Sequence, residues 1–245
     1  MGRQNLFEVV QNNVIFCLEF LGIIAAFVVV AYVTEKIAKK KNGVTERILS
    51  TRKMAMIGMF SAIAAVLHMM DFALPIIAPT FYKLDFSELP ALIGGFAFGP
   101  VAGVMIEFLK ILLKLVFKGS STALVGDLAN FVVGCSFILP ASMIYEFKKS
   151  KKSAIVACTV GTVILTVVGT MFNALYLIPA FSVLYGLPME VIIGMGTEIN
   201  GMITDLTTFV IFAVGPLNLL KGTVISILTI LLYKKISPII KEGRK

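Results

Sequence analysis

Charged side chains are scarce in this sequence, at 15% of its 245 residues, whereas hydrophobic residues make up 58%. In a typical soluble domain, about a quarter of the residues are charged. The mean hydropathy of +0.95 and the uncharged runs of helical length predict a polytopic α-helical membrane protein. The alternating segments of about ten residues that an outer-membrane barrel needs are missing. The sequence therefore predicts an all-α bundle and excludes both a barrel and a separate soluble domain.

Residues for catalysis and metal binding are also few. The three cysteines, Cys17, Cys135 and Cys158, are scattered through apolar runs, which supports neither a disulfide framework nor a metal site. The single histidine, His68, shares a helical face with Asp71, and this pair predicts packing rather than a catalytic dyad. No G-x-x-x-x-G-K-[ST] motif appears, so no P-loop hydrolyses nucleotide. We expect no enzyme activity, no metal and no cofactor.

Basic residues concentrate in three short segments. Positions 36–53, 148–152 and 234–245 hold 16 of the 22 Lys and Arg residues, and such segments belong in the cytoplasm. This pattern predicts a multi-pass protein of the plasma membrane, with its carboxyl terminus in the cytoplasm and its amino terminus outside. A basic rim facing the headgroups of the lipid bilayer explains the net charge of +8, so no nucleic acid partner is expected.

The apolar runs divide the chain into two parts. Residues 1–50 hold one additional transmembrane helix, predicted at 14–33, and a basic loop. Residues 51–245 hold a core of six helices and a basic tail, with helices predicted at 54–74, 84–98, 100–117, 126–147, 154–176 and 216–233. Between the last two, residues 178–214 contain three acidic residues and are interrupted by Gly194, Gly196 and Gly201. This composition predicts short helices that lie across the outer face or dip into the membrane and return, and an eighth span is the alternative.

The stretch 81–140 contains charged residues within segments that should cross the membrane. Four of them share one helical face: Glu107, Lys110, Lys114 and Lys118. Charges at membrane depth usually face the bundle interior or a wet cavity. The stretch therefore predicts one wall of a binding site, in which Asp85, Lys110 and Lys114 supply polar support.

The segment GSST precedes the helix 126–147, which opens with Asp127 and Asn130. One interpretation is a helix start, in which Asp127 complements the helix dipole and Ser121 or Thr122 caps the helix. The other is contact with a ligand. We therefore include Gly119, Ser121, Asp127 and Asn130 among the residues that support a pocket.

Amide side chains mark the outer ends of two helices. Asn173 lies near the end of the fifth core helix, and Asn218 and Lys221 lie one turn apart behind Pro216. An amide both donates and accepts, which suits a planar heterocycle or a chain of hydroxyls, and a helix amino terminus adds unpaired N–H groups. Because Lys221 has no carboxylate nearby in sequence, we expect a ligand here. Interhelical hydrogen bonding is the alternative for Asn173.

A stripe of small residues runs along the helix 54–74, formed by Ala55, Gly58, Ser61, Ala62 and Ala65. Such a stripe lets another helix approach closely. Its partner is either a helix of the same bundle or a separate membrane subunit.

Four blocks follow one another over residues 51–235: KLDFSELPALIGGFAFGPVAGVMIEFLK, VGDLANFVVG, MFNALYLIP and PLNLLKG. In this order they resemble the riboflavin-specific substrate-binding (S) components of energy-coupling factor (ECF) vitamin transporters. The resemblance implies a six-helix S-component fold that captures riboflavin, its transported ligand, from outside. It also implies delivery through a transmembrane coupling subunit and two ATPase subunits.

The resemblance assigns roles to particular residues. It matches Asn173, Asn218 and Lys221 to positions that bind the flavin. It places Tyr82 and Lys83 in the loop that closes over the flavin.

The same resemblance matches Gly58 and Ala62 to the stripe that docks on the coupling subunit. The chain departs from the family pattern in its helix 14–33 and in Lys83, where a small or neutral residue is expected. Three alternatives stay open: an S component for FMN or another vitamin, a self-sufficient secondary transporter, and an intramembrane enzyme.

Overall fold

The computed structural model describes residues 14–120, 122 and 124–242, with side chains over 17–120, 122 and 124–233. Ten α-helices occur in these residues: α1 Val14–Lys41, α2 Thr51–Met69, α3 Glu88–Phe98, α4 Pro100–Lys118, α5 Val125–Phe147, α6 Lys151–Phe172, α7 Ile178–Tyr185, α8 Met189–Thr197, α9 Leu206–Phe209 and α10 Gly215–Glu242. Two strands, β1 Phe72–Ala73 and β2 Lys83–Leu84, pair antiparallel. The predicted outside position of the amino terminus concerns residues that precede the described ones.

Five helical segments of the described chain are long and apolar enough to cross a membrane: Cys17–Lys41, Thr51–Met69, Val125–Phe147, Lys151–Tyr185 and Leu206–Tyr233. Helix α3 is apolar but only 11 residues long, and α4 carries the predicted charged face. Together these elements confirm the all-α polytopic fold and the additional helix before its core.

Local sequence explains where several helices begin. Ser50 and Ser150 cap α2 and α6, and each hydroxyl accepts a backbone N–H three residues ahead. Between α3 and α4 the chain reverses at Gly99, which has a φ of +106°, and Pro100 then opens α4. A Cβ at Gly99 would lie 2.5 Å from the carboxyl carbon of Glu35 in α1. Only glycine therefore allows this close approach.

Several predicted helix boundaries are wrong. Helix α1 continues past its predicted end at 33 to Lys41, α2 ends at Met69 rather than at 74, and α3 begins at Glu88 rather than at 84. Helix α6 continues through a π-helical turn, Asn173–Leu177, into α7 and ends at Tyr185. The last span likewise begins at Leu206 and passes through a second π turn, Val210–Val214. Each π turn immediately precedes the segment that contains Pro179 or Pro216. A wider turn accommodates the proline ring and its missing donor, so neither proline breaks its helix.

The predicted region of short helices is correspondingly smaller. Of residues 178–214, the separate short element in the described structure is α8, which has nine residues. Nine helical residues reach only about 14 Å, against a hydrocarbon core of about 30 Å. The alternative of an eighth span is therefore wrong.

Apolar packing fixes α1 against the core. The ring centroids of Phe20 and Phe27 in α1 lie 5.9 and 5.7 Å from the ring centroid of Phe131 in α5. A separate apolar cluster, which includes Leu84, Ile178, Ile203 and Phe209, holds β2, α7, α9 and the α8–α9 connection together.

The end of the bundle with this cluster and the β-hairpin is called the hairpin end below. The opposite end, with residues 36–53 and 148–152, is called the basic end.

Candidate functional site

A cavity of about 410 Å³ lies at the hairpin end, within the range of small-molecule sites. The end of α2, the β1–β2 loop, the end of α4, the start of α5 and both π-turn regions contribute to it. All five predicted binding residues line this cavity: Tyr82, Lys83, Asn173, Asn218 and Lys221. The structure thus brings together residues that lie up to 139 positions apart in sequence. That they bind a ligand stays a prediction.

The predicted supporting residues have three different outcomes. Five of them line the cavity: Asp85, Lys114, Gly119, Asp127 and Asn130. Lys110 is fully buried below the cavity and is absent from its lining. Ser121 lies outside the described residues.

Tyr82 connects the β1–β2 loop to the first π turn. Its hydroxyl donates to Asn173 Oδ1 at 2.7 Å, and Asn173 Nδ2 donates to the carbonyl of Gly169 at 2.7 Å. Burial raises the pKa of the Tyr82 phenol, so this residue acts as a neutral donor. Asn173 therefore orients a loop side chain at the cavity wall, which differs from the predicted alternative of a bond between two spans.

Lys221 is paired, which corrects the argument made from its sequence neighbourhood. Its Nζ lies 2.8 Å from Glu88 Oε1 and 3.6 Å from Asp85 Oδ2. Sequence reasoning missed these partners because Glu88 lies 133 positions away. The argument from a helix amino terminus is also wrong, since Pro216 lies inside a helical span that begins at Leu206.

An ion network continues from Lys221 beneath the cavity. Glu88 Oε1 also lies 3.3 Å from Lys110 Nζ, which lies 2.7 Å from Glu107 Oε2 and donates to Ser87 Oγ at 2.8 Å. These side chains are buried, so mutual pairing offsets the cost of removing their charges from water. The predicted charged face of α4 thus points into the bundle, as its position in the membrane required.

The predicted packing pair of His68 and Asp71 is wrong. His68 Nδ1 lies 3.2 Å from Asp85 Oδ2. Asp71 instead lies 3.4 Å from Lys83 Nζ and 3.3 Å from Lys118 Nζ. Sequence proximity suggested one face for both residues, but α2 ends at Met69 and Asp71 falls in the connection that follows.

The start of α5 combines a side-chain hydrogen bond to the first turn with an ion pair. Thr122 Oγ1 accepts the backbone N–H of Gly126 at 3.0 Å. The N-cap position is held by Leu124, which makes no side-chain capping bond, so Thr122 is not the cap that the sequence predicted. Asp127 accepts from Lys114 Nζ at 2.6 Å and from Ser120 Oγ at 2.8 Å. Ser120 does not line the cavity but holds Asp127, a role that the sequence did not indicate because nothing in GSST distinguishes its three hydroxyls.

The charges around the cavity balance within the described lining. Its four lysines are Lys83, Lys114, Lys118 and Lys221, and its four carboxylates are Asp71, Asp85, Glu88 and Asp127. Every one of these lysines has a carboxylate oxygen within 4 Å. The cavity is therefore polar but carries no net charge from these residues.

Two amide atoms at the cavity remain unsatisfied among the described residues. Asn218 Nδ2 and Asn130 Oδ1 are buried and have no hydrogen-bond partner there. A buried polar atom without a partner costs free energy. These amides offer one donor and one acceptor to a bound molecule, and Glu88 Oε2 is a further buried acceptor of the lining without a hydrogen-bond partner there.

The small-residue stripe of α2 separates into two faces. Ser61 and Ala65 are buried in the bundle. Ala55, Gly58 and Ala62 are exposed, and a Cβ built at Gly58 meets nothing within 4 Å in the described structure. Packing within the bundle therefore explains the small residues Ser61 and Ala65, but it does not explain Gly58 and Ala62.

Fold and site define a polytopic helical membrane protein that encloses a polar small-molecule cavity at one end of its bundle. The profile of the family described as "ECF transporter, substrate-specific component" matches residues 52–233. The chain belongs to this family, and the predicted family is confirmed.

Individual relatives cover the same part of the chain. The riboflavin transporter RibU of Staphylococcus aureus (strain TCH60) is 35% identical over 191 residues, which cover 78% of this chain and 93% of RibU. The riboflavin transporter FmnP of Bacillus subtilis (strain 168) is 31% identical over 199 residues, which cover 80% of this chain and 97% of FmnP. A solved S component of a bacterial ECF transporter is 37% identical, with a TM-score of 0.61, and covers 78% of this chain and 98% of its own. Helix α1 precedes the matched family region.

Proposed function

We propose that this chain is the riboflavin-binding subunit of an ECF vitamin transporter of the plasma membrane. Riboflavin is its transported ligand rather than a cofactor, and the chain performs no chemical step. Membership of the substrate-specific component family and the names of RibU and FmnP support this function. The 410 Å³ cavity supplies a place for the ligand.

The choice of riboflavin over FMN as the ligand rests on the balance of positive and negative charges around the cavity. Riboflavin is neutral and presents a planar ring with an imide edge and a chain of hydroxyls. FMN adds a phosphate of about −1.5 to −2 charges, and every lysine in the described lining already contacts a carboxylate. Lys83, the residue that departs from the family pattern, is held by Asp71 and is half exposed. The lining therefore favours neutral riboflavin over its phosphate ester.

Asn218 and Asn130 are the side chains with the clearest unmet hydrogen bonds. The Asn218 donor and the Asn130 acceptor complement an imide edge, which has both a carbonyl oxygen and an N–H. The rings of Phe81 and Tyr82, with centroids 4.8 Å apart, offer apolar surface to a planar ring. We assign flavin binding to Tyr82, Asn130, Asn173, Asn218 and Lys221, with Lys83 at the entrance.

The hairpin end faces the outside in this proposal, because the basic end is the one expected in the cytoplasm. Capture then occurs at the outer surface. Gly58 and Ala62 form the exposed patch that docks on the coupling subunit, since small residues let helices approach closely. Two ATPase subunits supply the energy for delivery.

An uptake experiment separates this function from a secondary transporter. Cells that lack other riboflavin uptake would express the chain with or without the coupling subunit and ATPases, and the entry of labelled riboflavin would be measured. We expect uptake only with the complete module. Equal uptake by the chain alone would establish a self-sufficient transporter instead.

A further inference from the structure

A second cavity, of about 450 Å³, lies at the basic end of the bundle. The α1–α2 connection forms one of its walls, and the α5–α6 connection forms another. Its lining comprises Lys39, Asn42, Val44, Glu46, Lys53, Phe98, Glu146, Phe147, Lys148 and Lys149. The proposed riboflavin site does not involve these residues.

Part of this cavity lies outside the matched family region. Residues 39–46 precede the matched family region, which begins at residue 52. Asn42 Nδ2 donates to the backbone carbonyl of Glu146 at 3.1 Å, and Lys39 Nζ donates to that of Glu46 at 3.2 Å. These bonds hold the α1–α2 connection beside the end of α5. Helix α1 thus supplies a wall that the matched region does not contain.

Lys53 is the most deeply buried cation of this cavity, with a side chain 4% exposed against 8% for Lys39. Its nearest carboxylate oxygens are Glu46 Oε2 at 3.7 Å and Glu35 Oε1 at 4.0 Å, and its backbone acceptor is the carbonyl of Arg47 at 3.4 Å. Well-formed ammonium–carboxylate contacts measure about 2.7–2.9 Å, as Lys221 and Glu88 show at 2.8 Å. The Lys53 ammonium is therefore buried with only long contacts in the described structure.

The cavity also carries a positive charge excess. Its lining has four lysines and two glutamates. Glu35, which lies behind the lining, neutralises one further positive charge, because its Oε1 lies 3.0 Å from Lys39 Nζ. One positive charge remains in excess after all three carboxylates are counted. Lys148 lies exposed at the rim, and Phe98 and Phe147 add apolar surface.

We propose that this cavity binds a phosphate group, with Lys53 at its base and Lys148 at its rim. The phosphate belongs either to an anionic phospholipid or to a soluble phosphate. Basic pockets between helices at the cytoplasmic side bind such headgroups. The proposed orientation places this end there, and in that respect the inference rests on the proposed function. The apolar rings would adjoin the glycerol region of a lipid.

The test uses the purified full-length chain in detergent with phosphatidylglycerol, phosphatidylcholine or inorganic phosphate added. Native mass spectrometry would count bound lipid, and thermal unfolding would measure stabilisation by each addition. We expect phosphatidylglycerol to bind in preference to phosphatidylcholine. Competition by inorganic phosphate would indicate a soluble phosphate source, whereas indifference to phosphate would indicate the lipid headgroup.

Matched variants locate the site. Lys53→Gln should weaken phosphatidylglycerol binding roughly tenfold, because it removes a charged donor. Lys148→Gln should weaken it to a smaller extent, and this rim variant keeps the test valid if Lys53→Gln does not fold. Lys40→Gln removes the same charge from an exposed position outside the lining and should leave binding unchanged.

Two results would overturn this inference. One is an equal loss in Lys40→Gln and in both cavity variants, which would indicate general attraction by the basic end. The other is a wild-type protein that neither distinguishes the two lipids nor responds to phosphate. Riboflavin titration of the same samples reports separately on the proposed function, so the two ideas can fail independently.

Discussion

Replacing Lys221 with methionine should destabilise the protein as well as weaken ligand binding. The Lys221 side chain is 11% exposed and lies 2.8 Å from Glu88 and 3.6 Å from Asp85. Methionine retains the apolar stem but leaves two buried carboxylates without this cation. Breaking one side of a buried ion pair costs about 3–5 kcal/mol. We expect the lower end of that range, because Lys110 still lies 3.3 Å from Glu88.

A double variant separates the lost ion pair from the lost side chain. In Lys221→Met with Glu88→Gln, the cation and its closest anion disappear together, so less uncompensated charge remains. We expect the double variant to recover most of the stability lost in Lys221→Met, to within about 1 kcal/mol of Glu88→Gln alone. Riboflavin binding should not recover, because the ammonium is still absent.

Denaturant or thermal unfolding without riboflavin would measure stability, and quenching of flavin fluorescence would measure affinity. The reasoning fails if Lys221→Met unfolds at the wild-type midpoint. It also fails if the effects of the two substitutions on stability simply add, since contacting residues should couple.

Three further predictions concern orientation, docking and the cavity. A cysteine replacing Ile76, which is 88% exposed, should react with an impermeant maleimide added from outside, whereas a cysteine replacing Ser150 should not. The reverse labelling pattern would contradict the proposed orientation. Gly58→Leu should reduce uptake while riboflavin binding persists. The control is Gly22→Leu, which should not reduce uptake, because Gly22 is also exposed and has nothing within 4 Å of its Cβ position. Equal effects of the two substitutions would exclude the docking patch. Asn218→Ala should weaken riboflavin binding by about 0.5–1.5 kcal/mol without lowering stability, because its Nδ2 has no partner among the described residues; unchanged affinity would remove this residue from the site.

The sequence predicted those features that depend on local composition. Apolar runs identified the spans, and the spacing of Glu107 and Lys110 predicted a charged face that points into the bundle. These predictions hold because hydrophobicity and helical period act over a few residues.

The features that the sequence did not predict depend on distant contacts. Lys221 has a carboxylate partner 133 positions away, and no local pattern relates the two. His68 likewise pairs with Asp85 across the β1–β2 loop rather than with Asp71. The π turns before Pro179 and Pro216 were also missed, because a proline in sequence predicts a helix end unless a wider turn accommodates it.

Titration of the purified protein with riboflavin and with FMN tests the central claim most directly. The lysines of the described lining all contact carboxylates, so the added phosphate of FMN would find no uncompensated cation among them. We predict saturable quenching of riboflavin fluorescence with one site per chain, and binding of FMN that is roughly tenfold or more weaker, because an unpaired charge near a buried site is costly. Equal or tighter binding of FMN, or binding of another vitamin and no flavin, would contradict the account.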